Sequence, residues 1–259
     1  MTQSDSKKPD PEKTASVVII GNEILSGRVQ DLNLAYIAGR LNDFGVRLRE
    51  ARVIPDHEDA VVATINEVRQ KFDYVLTTGG IGPTHDDITA ECVAKAFGVP
   101  LEINEEARAA LQARVGGDKL NEARLRMARV PVGGKLIKNA VSAAPGFQME
   151  NVFVMAGVPS VAHAMVDALE SRLTGGTPVR SRGVVVHVSE GAVAAALTGI
   201  QDRFPDTDIG SYPFYRSGRF GTTLVVRSTD TASIDAAVEE IKTMIREMGA
   251  EPEEELEAV

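Results

Sequence analysis

Two adjacent carboxylates, Asp86 and Asp87, follow three closely spaced glycines, Gly79, Gly80 and Gly82, in the stretch TTGGIGPTHDDIT from Thr77 to Thr89. The run Tyr74 to Leu76 before it reads as the end of a buried strand. Ile88, Cys92, Val93, Ala96 and Phe97 after it recur at helical spacing. The stretch is therefore a strand-to-helix turn. Its glycines permit positive φ and let a ligand approach the main chain. Its N–H groups and the following helix N-terminus favour an anion, typically a phosphate. Asp86 and Asp87 would repel that phosphate unless a cation lay between them. Hard cations such as Mg²⁺ take oxygen ligands, commonly one or two carboxylates plus substrate phosphates. The expectation is a phosphate-and-metal site at the carboxyl end of a parallel strand, where open α/β sheets bind ligands, with Asp86 and Asp87 as metal ligands. An Asp before a helix is also an ordinary N-cap. That explains Asp87 alone but not His85 and Asp86, because a cap needs one acceptor.

The elements that must hold this turn follow from periodicity. Ala15 to Ile20 is a β-branched run, the first buried strand. Asp31 caps a helix whose apolar face is Leu34, Ile37, Leu41 and Phe44, and Gly45 stops it. Val46 to Ile54 is a second strand, nearer an edge, leaving through Pro55-Asp56. A helix starting near Asp59 carries Val61, Ile65, Val68 and Phe72, and Tyr74 to Thr78 is the third strand. This alternation predicts an α/β fold with a mostly parallel sheet in three layers. Beyond Pro100, Glu105 to Val115 and Leu120 to Arg129 read as helices broken by Gly116-Gly117. Arg124, Arg126 and Arg129 on the second form either a solvated face or a rim for an anionic ligand. Lys135 to Asn139 is a short strand, Ser142 to Phe147 (SAAPGF) a turn, and Val152 to Met155 a buried strand ending in AGVPS. Pro159 then starts a helix that continues through Val161 to Leu173. TGGTP, Thr174 to Pro178, is the linker. Past it the order β-α-β-β-α suits a small α+β subdomain. The expected divisions are a disordered tail at 1–14, the α/β domain at 15–174, the subdomain at 179–249 and an acidic tail at 250–259.

The candidate site residues cluster after the predicted strands. Gly21, Asn22, Glu23, Ser26, Gln30, Asp31 and Asn33 follow the first, Asp56 the second, and Thr78, Pro83, Thr84, Asp86 and Asp87 the third. Gly157 and Pro159 follow the strand ending at Met155. In a parallel sheet these exits share one edge. Glu23, Asp56, Asp86 and Asp87 would then place four carboxylates near a bound phosphate, an arrangement that calls for a divalent cation (Mg²⁺, Mn²⁺ or Co²⁺). Such an ion polarises a phosphoryl oxygen and acidifies a bound water. A carboxylate or His85 would serve in acid–base work.

Composition sets outer bounds. The net charge of −9 argues against nucleic-acid binding. No apolar run approaches the roughly 18 residues of a membrane span, and the first residues lack the apolar core of a signal peptide. The single Cys92 allows no internal disulfide and suits a reducing cytoplasm; its place on an apolar helix face makes it a packed thiol.

GNEILSGRVQDLN, TTGGIGPTHDDIT, SAAPGF and AGVPS, in this order across Ser16 to Leu173, resemble the motif set of the CinA amino-terminal family. That family belongs to the molybdopterin-binding group with MoaB and MogA. The TGGIGPTHDD wording is also similar to the molybdopterin-binding-like domain fused to eukaryotic FAD synthases. The resemblance implies a three-layer α/β fold with the ligand over the Gly-rich turn, and a homo-oligomer. It implies aspartates at Asp56 and Asp87 in catalysis, to which the reading of the turn itself adds Asp86. It also implies a nucleotide or pterin ligand, molybdopterin among them. In CinA-type and FAD-synthase-type relatives the fold is associated with metal-dependent hydrolysis of nucleotide pyrophosphates such as ADP-ribose or FAD. Ala156 departs from the family, which commonly has Pro there. The chain ends at Val259, so the deamidase domain of longer CinA chains and the transferase domain of FAD synthases are expected to be absent.

Three functions are therefore open: a metal-dependent nucleotide pyrophosphatase, a pterin-binding or pterin-adenylylating protein of molybdenum-cofactor assembly, and a non-catalytic nucleotide sensor. The carboxylate count favours the first, and the Asp56/Asp87 pairing the second. The third would bind tightly without product.

Overall fold

The structure is a computed structural model in which residues 12–116, 120–216 and 218–255 are described. The chain divides after Gly176 into two compact units. In the first, β1 (Lys13–Ile20) lies parallel to β2 (Val46–Ile54) on one side and to β3 (Tyr74–Thr78) on the other. β3 is parallel to β8 (Val152–Met155), and β7 (Gly146–Met149) and β6 (Lys135–Ile137) continue the sheet antiparallel, giving the order β2-β1-β3-β8-β7-β6. The fold is thus α/β with a mostly parallel central sheet.

Six buried residues close β1, all apolar but Ser16. Val18 and Ile20 enter one core cluster with Val61, Ile65 and Val68 of α3 (Glu58–Lys71) and with Cys92 and Val93 of α4 (Thr89–Phe97). Ala15, Val17 and Ile19 enter the other with Ile37 and Leu41 of α2 (Asn33–Asp43) and Met165 and Val166 of α7 (Pro159–Asp167). Successive side chains of a strand face opposite sides, so a central strand covered on both faces reads as continuous hydrophobicity. Each fully buried Val or Ile contributes about 1.5–3 kcal/mol. Asp31 Oδ1 accepts the Leu34 N–H at 2.8 Å at the start of α2, and Gly45 follows its end at φ +72°. Cys92 is buried, and burial pushes its thiol up to about 12, so it stays protonated at neutral pH.

β1 begins two residues before the expected Ala15. Asp73 takes the Thr14 N–H at 2.9 Å and the Lys13 ammonium at 2.8 Å, anchoring residues that composition placed in a tail. The Lys13 ammonium first, then the Thr14 N–H, holds the Asp73 carboxyl below the ordinary carboxylate range. A depressed folded-state value contributes stability that is present above the unfolded value of about 3.9 and is lost as pH falls through the folded one. Asp73→Asn should therefore lower the urea midpoint at pH 7 and narrow the difference between pH 7 and pH 3. Equal midpoint shifts at both pH values would remove this role.

Between Pro100 and Phe147 the structure departs from the periodic reading. α5 (Glu105–Val115) forms, capped by the Asn104 side chain on the Ala107 N–H, but the second helix is only α6 (Glu122–Arg126). Arg129 lies instead in β5 (Arg129–Pro131), which pairs antiparallel with β4 (Leu101–Ile103). Three-residue strands leave no alternation to read. Likewise Gly146 and Phe147, expected in a turn, open β7.

The second unit is a sheet of order β10-β11-β9-β12, with β9 Arg180–Val186, β10 Asp208–Arg216, β11 Arg219–Ser228 and β12 Glu253–Glu255. α8 (Glu190–Arg203) and α9 (Thr231–Glu247) pack on it through Val184, Val186, Leu197, Ile200, Leu224, Val238 and Ile241. The Asp230 side chain caps α9. β12 (Glu253–Glu255) pairs with β9 where an acidic tail was expected. The compensation is local: Glu254 meets Arg182 at 3.3 Å and Lys242 at 2.5 Å. Residues 1–11 and 256–259 of the expected tails lie outside the described residues. No described helix is long and apolar enough to cross a membrane.

Candidate functional site

The carboxyl ends of β1, β3 and β8 meet over one cleft of ≈ 390 Å³. Glu23 comes from α1 (Asn22–Leu25), a single turn after β1; Gly79, Gly80, Gly82, Pro83 and Asp87 come from the Gly-rich turn, and Gly157 from the β8 exit. Only glycine fits at the junction. Gly79 has φ +102°, and a Cβ there would lie 2.1 Å from the Ile20 carbonyl oxygen. Opposite it, a Cβ on Gly157 would lie 3.3 Å from the Gly79 Cα. The Asn33 side chain ties this exit to α2 by donating to the Gly157 carbonyl at 2.9 Å.

Inside the turn, Thr89 supports both glycine carbonyls. Its hydroxyl donates to Gly79 O at 3.0 Å and its N–H to Gly80 O at 2.9 Å. Asp87 does not cap α4. Its Oδ2 accepts the Thr84 N–H at 2.8 Å and the Thr84 hydroxyl at 2.5 Å, closing the 84–87 loop. Among the described residues no protein acceptor engages the N–H groups of Gly80, Ile81 and Gly82. Three consecutive unpaired donors beside the N-terminus of α4 make an anion cradle.

The expected four-carboxylate convergence does not form. Glu23 and Asp87 line the cleft, but Asp56 is drawn to the first loop, where its Oδ2 accepts the Asn22 N–H at 2.8 Å. Gly21, at the base of that loop, donates to Ile54 O at 3.1 Å, and a Cβ on it would meet the Glu23 carboxylate at 2.5 Å. Asp86 and His85 face solvent, His85 with 97% of its side chain exposed. The Asp86 carboxyl sits below the ordinary range, held first by the Thr84 hydroxyl and then by its own N–H. Ser26 is exposed, its hydroxyl on Glu23 O at 3.2 Å. Thr78 and Asn33, with Asp31, Gln30 and Pro159, line a recess of ≈ 60 Å³ that shares Glu23, Gly79 and Gly157 with the cleft. Asn33 Oδ1 and Thr78 Oγ1 are buried there without a hydrogen-bond partner.

Among the described residues no three His, Cys, Asp or Glu side chains are grouped to hold a metal ion. The two carboxylates that line the cleft suit a hard cation only if substrate oxygens complete its shell, the usual arrangement for Mg²⁺.

Periodicity missed Glu91 as a site residue. It lies on α4 one turn beyond Asp87, and it pairs with Arg129 and, at 3.5 Å, with Arg126. Arg126 also donates to the Asp87 carbonyl at 3.4 Å. Two of the three arginines on the basic stretch thus stand behind the acidic turn. The i, i+4 spacing of Asp87 and Glu91 was the available signal. Ser142 and Ala144, from the SAAPGF stretch, also line the cleft, as does Met127, which had no advance sign.

A mostly parallel α/β domain with a Gly-rich turn at its strand ends belongs to the open-sheet class, whose members bind ligands at that edge. Residues 16–175 match the family described as "Probable molybdopterin binding domain", and the chain belongs to that family. Residues 178–254 match "FAD synthase, middle domain". A protein of Archaeoglobus fulgidus is 36% identical over 76% of this chain and 84% of its own length. A "Probable FAD synthase" of Caenorhabditis elegans is 29% identical over 90% of this chain but 50% of its own, and a "CinA-like protein" of Geobacter sp. is 36% identical over 71% of this chain and 47% of its own. The chain therefore spans about half of each of these two longer relatives. A solved structure of CinA from Thermoplasma acidophilum, of unknown function, superposes with TM-score 0.59 at 36% identity, covering 62% of this chain and 98% of that one.

Proposed function

We propose that the chain is a metal-dependent nucleotide pyrophosphatase acting on an ADP-ribose- or FAD-like substrate. The observation that carries this reading is that Gly80, Ile81 and Gly82, whose N–H groups find no acceptor among the described residues, line one cleft with Glu23 and Asp87. A diphosphate suits that pairing: its oxygens accept the N–H groups, and its charge is offset at the α4 N-terminus. The kinship with FAD-synthase-type and CinA-like chains adds support without fixing the chemistry.

In this mechanism the N–H row holds one phosphoryl group and stabilises charge that develops on its oxygens. Water attacks that phosphorus, the bridging P–O bond breaks, and the departing phosphate takes the bond's electron pair. Asp87, oriented by Thr84, accepts the proton from the attacking water. A divalent cation shared by Glu23, Asp87 and the substrate would supply Lewis acidity. The products are AMP and ribose 5-phosphate from ADP-ribose, or AMP and FMN from FAD.

The test incubates the purified chain with ADP-ribose or FAD and Mg²⁺, Mn²⁺, Co²⁺ or chelator, resolving products by chromatography. AMP that appears with metal and disappears with chelator is the expected result. Binding of a pterin or nucleotide with no product under any metal would overturn the hydrolase reading in favour of cofactor assembly or sensing.

A further inference from the structure

A second cavity of ≈ 230 Å³ adjoins the cleft, and Ser142 lines both. Ala107 and Ala110 of α5, Leu136 of β6, and Ala143 and Pro145 of the following turn give it apolar surface. Glu106 and Lys138 add one acceptor and one donor, paired with each other at 2.6 Å. The turn between the two spaces is firmly built. Asn139 Oδ1 accepts the N–H groups of Val141 at 3.1 Å and Ser142 at 2.5 Å, its amide donates to Ala144 O at 3.0 Å, and Ser142 Oγ accepts the Ala144 N–H at 3.1 Å.

We propose that this cavity takes a planar heteroaromatic ring, so that the ligand spans both spaces with its phosphates on the Gly80 to Gly82 donors. The inference rests on reading the cleft as a phosphate site. Its chemistry selects the class. A phosphate or sugar placed against Ala107, Leu136, Ala143 and Pro145 would lose hydration with few partners in return. A flat ring buries two apolar faces there and keeps its polar edge for the Glu106–Lys138 pair. Three alanines, where larger side chains would fill the space, leave a slot of that kind. Pockets for small molecules commonly combine such apolar lining with a few polar groups that fix orientation. The substrate is then a nucleotide with a ring attached through a sugar to its diphosphate, and inorganic pyrophosphate occupies the cleft alone.

The test fills the cavity. Ala110 is exposed on α5, so Ala110→Trp should leave the melting temperature unchanged. ADP-ribose and inorganic pyrophosphate are titrated calorimetrically against wild type and variant. ADP-ribose should weaken about tenfold or more, while pyrophosphate stays within about twofold. Ala143→Phe, which fills the same space from the turn, should repeat the pattern. Unchanged ADP-ribose affinity in both variants, or equal loss for both ligands, overturns the proposal. AMP release by the wild type is scored separately. Selective loss of ADP-ribose without any AMP release would sink the hydrolase reading and uphold the ring site; AMP release with unchanged affinities would do the reverse.

Discussion

Asp87→Ala is expected to lower hydrolysis of the nucleotide pyrophosphate by about 10²–10⁴-fold, the range general acid–base groups command. Two losses combine. The proton acceptor disappears, and so do both side-chain bonds of the 84–87 loop, leaving only the Asp87 N–H on Thr84 O at 3.3 Å. The fold should survive, because Thr89 fixes Gly79 and Gly80 independently and Thr84 is exposed. Asp87→Asn separates the two effects. Its amide oxygen still accepts from Thr84 but has little basicity. Activity in the Asn variant near that of the Ala variant assigns the loss to the carboxylate's charge, as proton acceptor or cation ligand; activity near wild type reduces Asp87 to a loop fastener. Single-turnover kinetics with saturating ADP-ribose, alongside melting curves, would settle which.

Gly79→Ala should be the most damaging small substitution at the site. Its φ of +102° is costly for any L-residue, and the added carbon would sit 2.1 Å from a backbone oxygen of the neighbouring strand. No flexible side chain can yield, so β1 and β3 must part where they carry the cradle. A loss on the order of 3 kcal/mol is expected, seen as a drop of about 6–12 °C in melting temperature. Gly27→Ala is the control. Gly27 also has positive φ, at +70°, but nothing lies within 4 Å of its added carbon. It should lose only about 1 kcal/mol. Equal losses at the two positions would show that backbone strain, not the contact with Ile20, sets the cost.

The parallel half of the fold was legible because each of its elements is long enough to show a period. β1 closes on the unbroken apolar run Val17 to Ile20, α2 and α3 carry apolar residues every third or fourth position, and glycines mark the turns. The Gly-rich turn was legible because three glycines in four positions between an apolar strand and a helical period mark a tight strand-to-helix turn. What the sequence hid was direction within the loops. Asp56 and Asp86 stand on the same sheet edge as Asp87, yet Asp56 satisfies a backbone N–H of the first loop and Asp86 turns to solvent. Spacing along the chain places a side chain at an edge but does not say which neighbour will claim it. The Arg126, Arg129 and Glu91 group joins residues 35 and 38 positions apart across a short strand pair, beyond the reach of any local pattern.

β12 has a consequence for how the molecule keeps to itself. A sheet's outermost strand presents unpaired main-chain groups that can recruit a strand from another molecule. β9 would be that strand were Glu253 to Glu255 not laid against it. The strip thus works as a chemical bumper: it occupies the hydrogen-bonding groups of β9 and is itself pinned by Glu254 on Arg182 and Lys242. Chains cut after Gly249 should stay folded around α8 and α9 but clump at concentrations the full chain tolerates, most readily in high salt, where charge no longer holds them apart.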